Sequence, residues 1–205
     1  MTKKIIASAV LLGGKSSRMG KNKAFLKIKD LSFLDRTIKV LDSIFPKIYL
    51  SVDSIDKYEE YEKKTILVED KIKEIGPLGG IFSILQEMKE QSLFFVACDM
   101  PFLHKELILQ MISIFKRNKY NAVVPVLDGY IQPLHSIFDK NILKYFPNFL
   151  KEKKYSIKEF LKTIDVFYLS LKSNYFNKNI FKNINTKKEF RALKNDKKNK
   201  NFKSK

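Results

Sequence analysis

Four short segments of this 205-residue chain carry side chains whose type and spacing suit chemistry on phosphate groups. The first is Leu11-Leu12-Gly13-Gly14-Lys15-Ser16-Ser17-Arg18-Met19-Gly20-Lys21-Asn22-Lys23, a glycine-rich loop crowded with cations. Without Cβ atoms, Gly13 and Gly14 let the backbone approach a base or phosphate closely, while Arg18 and Lys23 supply charge. It is not a Walker A loop, because five residues separate Gly14 from Gly20 and Asn22 stands where a hydroxyl would bind magnesium. It is not a G-x-G-x-x-G fingerprint either. The second segment is Asp53, and the third is Asp70, followed by Gly76-Pro77-Leu78-Gly79-Gly80. The fourth is Cys98-Asp99-Met100-Pro101. Asp99 has the chemistry of a Mg²⁺ ligand, since that ion keeps several waters and bridges one or two carboxylates to phosphate. Its other reading is the N-cap of the helix that follows.

The elements that must position these residues read as an alternation of strands and helices. Residues 3–12 form a near-continuous apolar run, as a strand buried on both faces requires. Phe33, Leu34, Ile38, Leu41 and Phe45 recur at helical spacing before Pro46. Strands follow at Ile48–Val52 and Ile66–Glu69, with a polar, helical stretch over 54–64 between them. Ile81, Leu85 and Met88 mark a helix, 93–98 the most apolar strand, 103–116 an amphipathic helix and 122–126 another strand. Beyond Tyr130 the pattern loosens into an extended stretch over 131–138, helices over 141–150 and 157–163, and a strand at Val166–Leu171. This order predicts a single α/β domain around a doubly wound, mostly parallel, Rossmann-like sheet. In such sheets ligands bind beyond the carboxyl ends of the strands, and all four segments fall there.

Composition narrows the classes. With 44% hydrophobic and 30% charged residues the chain is globular, and Cys98 alone excludes a disulfide framework or a multi-cysteine zinc site. Cys98 has no His/Asp arrangement of a thiol nucleophile and reads as core packing. The longest apolar runs are far short of the ~20 residues of a membrane span. The first of them leads into a polar loop instead of a cleavage site, so a cytoplasmic protein is expected. The net charge of +18 is lopsided: residues 1–100 carry +3 and residues 101–205 carry +15. Only four of the 40 basic residues are Arg, a weak signature for reading nucleic acid. A basic nucleic-acid-binding module nevertheless stays open as the reading of a different class. Residues 1–194 are expected to form the domain and 195–205 a basic, disordered tail.

Leu-x-Gly-Gly-x-Ser-Ser-Arg-Met-Gly-x-x-Lys after the first strand resembles the signature of the molybdenum cofactor guanylyltransferases, the MobA family. Gly76–Gly80, Cys98–Pro101, Gln132-Pro-Leu-His135 and Asn183-Ile-Asn-Thr186 are similar to further motifs of that family, in the same order. The resemblance spans about residues 4–193. Three positions depart from it: Leu12 for the usual Ala, Asn22 for Asp, and Lys187-Lys188 where Pro and Glu often follow Asn-Thr. Leu12 is thereby expected to crowd the base pocket.

The resemblance implies a Mg²⁺-dependent nucleotidyltransferase that moves GMP from GTP to molybdopterin or Mo-molybdopterin and releases pyrophosphate. It implies nucleotide contacts from Leu11, Leu12, Gly13, Gly14, Lys23, Asp53, Asp70 and Asp99. Arg18, Lys23 and Asp99 would carry catalysis, with Asp99 on the metal. Gln132, His135, Asn183 and Asn185 would line the groove for the second substrate. Cofactor-delivery proteins or acceptor molybdoenzymes would be its protein partners. A relative of the same fold using CTP or acting on a sugar phosphate is the alternative.

Overall fold

The computed structural model describes residues 5–12, 23–72, 74–152, 155–173 and 178–195, without the side chains of Lys178 and of 193–195. Gly13, Gly14, Arg18 and Asn22 of the first loop, and 196–205 of the basic tail, lie outside the described residues.

In chain order the regular elements are β1 (Ile6–Leu11), β2 (Lys27–Ile28), β3 (Leu31–Ser32), α1 (Phe33–Asp42), β4 (Ile48–Val52) and β5 (Ile66–Glu69). There follow α2 (Pro77–Glu87), β6 (Ser92–Ala97), α3 (Lys105–Arg117), β7 (Ala122–Leu127), β8 (Tyr130–Ile131) and β9 (His135–Asp139). The chain then runs through α4 (Phe146–Lys151), α5 (Ile157–Leu161), β10 (Val166–Leu171) and α6 (Lys187–Asn195). The main sheet is ordered β10-β7-β9-β6-β1-β4-β5, with β8 attached to β7. β6, β1, β4 and β5 pair in parallel, as do β7 and β10, whereas β9 runs antiparallel between β6 and β7.

Every residue of β1 and of β6 is buried, which is why both read as unbroken apolar runs. Their side chains alternate between two cores. Ile6, Val10, Phe94 and Val96 meet α1 and α3, with Leu34, Leu41, Met111 and Phe115. Ala7, Ala9, Leu93 and Phe95 meet α2, α4 and α5, with Ile81, Leu85, Phe146, Phe149 and Phe160. A sheet covered on both faces by helices is the doubly wound arrangement expected.

Several local expectations shift. Residues 54–64 form two short 3₁₀ turns, Ile55–Lys57 and Glu59–Tyr61, instead of an α-helix. The cause is Tyr58 between them, buried and stacked on Phe25, which gives the stretch one anchor where an amphipathic helix would have a stripe. The extended stretch over 131–138 is broken at Gln132-Pro133-Leu134, so β8 and β9 are separate strands. The short β2–β3 hairpin was not foreseen; its turn puts Lys29 at φ 56°. Its last residue, Ser32, opens α1 with a reciprocal cap: the Ser32 hydroxyl accepts from the Asp35 amide, and the Asp35 carboxylate accepts from the Ser32 amide.

In the Gly76–Gly80 segment, Gly76 is required by its φ of 64° and the other two glycines by packing. A Cβ on Gly79 would stand 2.3 Å from the Ile72 carbonyl oxygen, and one on Gly80 would stand 2.2 Å from Ser51 Oγ and 3.1 Å from Leu11 Cδ2. Their absence lets α2 lie directly on β1, β4 and the loop that leads out of β5. Two effects compete in Gly80→Ala. Helix propensity favours Ala by about 0.8–1 kcal/mol, and overpacking a tight core costs about 1–3 kcal/mol. With a contact this short against a hydroxyl that is itself hydrogen-bonded, overpacking wins. Gly80→Ala should lower the melting temperature in a thermal unfolding scan; an unchanged or higher value would contradict the packing account.

Candidate active site

The parallel strands end together along one edge of the sheet. The Leu12 amide donates to Ser51 O at 3.0 Å, Cys98 N to Leu11 O at 3.2 Å, and Asp70 N to Val52 O at 3.0 Å. The turn before β9 joins the same edge, because Ala97 N donates to Leu134 O at 3.2 Å. The segment ahead of α6 is tied on by Ile184 N, which donates to Asp99 O at 3.0 Å. Loops far apart in sequence therefore share one crevice.

Lys23, Asp99 and Asn185 meet at its centre. Lys23 Nζ donates to Asp99 Oδ2 at 3.1 Å and to Asn185 Oδ1 at 2.6 Å. Both members of the ion pair are only 17% exposed, so solvent screens them weakly. Asp99 Oδ1 and Asn183 Oδ1 are buried without a hydrogen-bond partner among the described residues. Such oxygens are costly, about 1–3 kcal/mol or more for an unsatisfied buried group, and mark where a ligand would repay the cost. Asp99 does not cap α3. That helix starts at Lys105, and its cap is His104, whose Nδ1 accepts from Leu107 N. The capping reading of Asp99 is thereby excluded.

Of the other expected residues that the structure describes, Asp70 and Asp53 follow the neighbouring strands β5 and β4. Asp70 is more than half withdrawn from solvent and accepts a 2.5 Å hydrogen bond from Ser51 Oγ. Burial raises its carboxyl above the ordinary value of 3.8; Ser51 works in the opposite direction, and the charges of Asp53 and Glu69 add to the rise. Asp53 stands exposed on the rim in an ion pair with Lys57 at 2.5 Å. The Leu11 and Leu12 side chains pack into opposite cores, leaving only backbone for a ligand. The Leu12 side chain is thus turned into the core that α1 and α3 cover. Gln132 shapes the β8–β9 turn: its amide donates to Pro125 O, its carbonyl accepts from His135 N, and its side chain donates to Tyr130 O.

His135 corrects a second expectation. It is fully buried, wedged edge-on between Phe94 at 5.0 Å and Phe181 at 5.2 Å, and lines no groove. Burial, with a smaller contribution from His104, pushes its pKa down to about 3, so the ring is neutral packing. Cys98 is buried too, and burial beside the Asp99 charge pushes its thiol up to about 12, which removes it as a nucleophile.

Two residues escaped sequence reading. Ser51 is fully buried at the end of an apolar strand, and only its polarity there signals a role for its hydroxyl. Glu189 Oε2 accepts from Asn185 N at 2.8 Å, Thr186 N at 2.8 Å and Thr186 Oγ1 at 3.1 Å. These donors hold its carboxyl below the ordinary value of 4.5. Its signal was the Thr-x-x-Glu spacing of Thr186 and Glu189.

Among the described residues, no three His, Cys, Asp or Glu side chains gather around a common metal position. A single carboxylate with an orphaned oxygen suits Mg²⁺, which draws its remaining ligands from water and phosphate. Among the described residues no helix is long and apolar enough to cross a membrane.

A doubly wound sheet that brings a lysine and a strand-end carboxylate together beyond the carboxyl ends of its parallel strands is the arrangement of a nucleotidyltransferase. Residues 8–166 match the MobA-like NTP transferase domain, and the chain belongs to that family. It is 33% identical over 193 residues to the probable molybdenum cofactor guanylyltransferase of Clostridium perfringens strain 13, covering 91% of this chain and 95% of that one. It is 31% identical over 172 residues to the protein so described in Natranaerobius thermophilus, covering 83% of each. The crystal structure of molybdopterin-guanine dinucleotide biosynthesis protein A from Archaeoglobus fulgidus superimposes with a TM-score of 0.76 at 19% identity, over 92% of this chain and 96% of that one. At that identity the likeness concerns the fold.

The raised Asp70 carboxyl has a consequence for stability. A group whose folded pKa lies above its unfolded value favours the protonated fold, so its contribution is fully present below 3.8 and is lost as pH rises through the folded value. Above the folded value the buried charge is a cost to the fold. Asp70→Asn keeps an oxygen for Ser51 and should raise the melting temperature at neutral pH, with the gain vanishing below the ordinary aspartate range. A gain that persisted into acid would contradict the burial account.

Proposed function

We propose that this protein transfers GMP from GTP to molybdopterin or Mo-molybdopterin, producing the guanine dinucleotide form of the cofactor and pyrophosphate. The observation that carries the reading is the meeting of Lys23, Asp99 and Asn185, from three distant segments, beside the loop that begins at Leu11. The relatives described as molybdenum cofactor guanylyltransferases support the choice of substrates.

The reaction joins two anions. A terminal phosphate oxygen of the pterin attacks the α-phosphorus of GTP in line, a new P–O bond forms, and the bond to the β-phosphate oxygen breaks with pyrophosphate leaving. No protein nucleophile is needed, and the buried, neutral Cys98 offers none. The protein's task is to hold the two phosphates together and offset their repulsion. Arg18 and Lys23 contact the triphosphate. The Leu11–Gly14 backbone and Asp70 take the base or ribose, with Asp53 on the rim. Lys23 already has its ammonium at the crevice, and an arriving phosphate oxygen competes with Asp99 and Asn185 for it. Asp99 would hold Mg²⁺ through the free Oδ1, and the ion when bound withdraws charge from the phosphate oxygens. Gln132, Asn183 and Asn185 face the pterin. The excess of cations in residues 101–205 suits an anionic dithiolene phosphate. His135 contributes from the core alone. A cytoplasmic location fits substrates of this kind.

The discriminating experiment is a nucleotide panel with Mg²⁺ and molybdopterin, following pyrophosphate release and dinucleotide formation. GTP should bind at least tenfold more tightly than CTP, about 1.4 kcal/mol, because Gly13 and Gly14 carry no Cβ to obstruct the guanine edge. Chelating the metal should stop transfer without unfolding the protein. Equal affinity for both nucleotides would overturn the guanine reading and favour a CTP-dependent relative. Full activity in chelator would overturn the place given to Mg²⁺.

A further inference from the structure

Asn185 reaches Lys23 from the last residues before α6, where Ile184 is buried and Asn185 itself half-buried. Its amide oxygen is 2.6 Å from Lys23 Nζ. The backbone that carries it is fixed from the other side by one carboxylate oxygen. Glu189 Oε2 accepts from the Asn185 amide itself, from the Thr186 amide and from the Thr186 hydroxyl, while that hydroxyl accepts from Glu189 N at 3.1 Å. An ordinary capping box uses the glutamate to bind the cap residue's own amide. Here Thr186 is the cap, and the carboxylate reaches one residue further back, to the amide of the residue whose side chain enters the crevice.

We propose that Glu189 is a positioning residue for the transfer reaction: by gripping the Asn185 amide it aims the Asn185 side chain at Lys23, and through Lys23 it sets the centre that Asp99 shares. This rests on the reading that Asn185 belongs to the site. It also gives a physical reason why Lys187 and Lys188 are tolerated where a Pro-Glu pair is common, since the grip needs only Thr186 and Glu189. Both lysines are exposed and take no part in the box.

A purely structural cap and a positioning residue differ in what they move. A cap stabilises α6, and its loss lowers the melting temperature while leaving turnover alone. A positioning residue changes kcat/KM through Asn185 and only through it. The experiment therefore uses Glu189→Ala, Glu189→Gln, Asn185→Ala and the Asn185→Ala/Glu189→Ala double variant of the full chain. Guanylyl transfer and thermal melting are measured on each preparation. Glu189→Ala should lower kcat/KM by about ten- to a hundredfold, the scale of a site group displaced by about an ångström. Glu189→Gln keeps an acceptor for the same amides and should recover most of that loss. In the Asn185→Ala background, Glu189→Ala should cost no more than about twofold further, because coupled residues are not additive.

A Glu189→Ala variant that melts lower but transfers at full speed overturns the proposal and leaves Glu189 as a helix cap. Losses that multiply in the double variant overturn it as well, since Glu189 would then act by another route. If Asn185→Ala is slow while Glu189→Ala is not, the positioning role alone falls. If Asn185→Ala runs at wild-type speed, the placing of Asn185 in the site falls and this proposal with it.

Discussion

One ammonium group organises the crevice. Lys23 Nζ holds a carboxylate oxygen from the end of β6 and an amide oxygen from the segment before α6, partners 76 and 162 residues away in sequence. Nothing local brings these three together. They meet because β6 and β1 are parallel neighbours, so the loop after each strand rises from the same edge, and because the Ile184 amide is hydrogen-bonded to the carbonyl of Asp99. The helices that cover both faces of the sheet are the scaffold for that alignment. A one-residue slip of either strand would send Phe94 and Phe95 to the wrong faces and displace Asp99 from the edge.

The site is held in a state that stability alone would not choose. Asp99 Oδ1 and Asn183 Oδ1 are buried and unpaired among the described residues, and burial raises the Asp70 carboxyl above its ordinary value. Buried polar atoms without a partner among the described residues also occur away from the crevice, at Arg36, Ser92 and His135. What sets Asp99 Oδ1 apart is that the other oxygen of the same carboxylate is bound to Lys23 beyond the end of β6, where an anionic ligand and its metal would be received. Burial, with a smaller contribution from His104, accounts for the neutral His135 ring, and burial with the neighbouring Asp99 charge for the neutral Cys98 thiol.

Much of this was legible in the chain. The β1 and β6 runs, the strands Ile48–Val52, Ile66–Glu69 and Val166–Leu171, and the gathering of four motif segments at one edge all follow from periodicity and strand polarity. Less legible were features set by tertiary contacts. Residues 54–64 have helix-forming composition, but one buried tyrosine decides their path. Leu12 reads as an obstacle in a base pocket until the alternation of β1 turns its side chain into the core. His135 reads as a ligand-facing histidine because motifs record identity, not direction. Gly79 and Gly80 read only as part of a motif, and the distances to Ile72 and Ser51 show that they let α2 pack closely. Glu189 lay in plain view as a capping spacing, but its grip on Asn185 is visible only in three dimensions.

The central claim is that the Asp99 charge serves the reaction and not the fold. Since His104 caps α3, the hydrogen-bond partners among the described residues that an uncharged replacement must satisfy are Lys23 and the Ile184 amide. Asp99→Asn retains the backbone carbonyl that Ile184 needs and a side-chain oxygen for Lys23, and removes only the charge. The decisive measurement is guanylyl transfer by Asp99→Asn, with thermal unfolding recorded on the same preparation. Turnover should fall by about 10²–10³, the loss that follows removal of one preorganised electrostatic group, in a protein that still unfolds cooperatively close to the parent temperature. Transfer near the parent rate by the folded variant would contradict the account of the site.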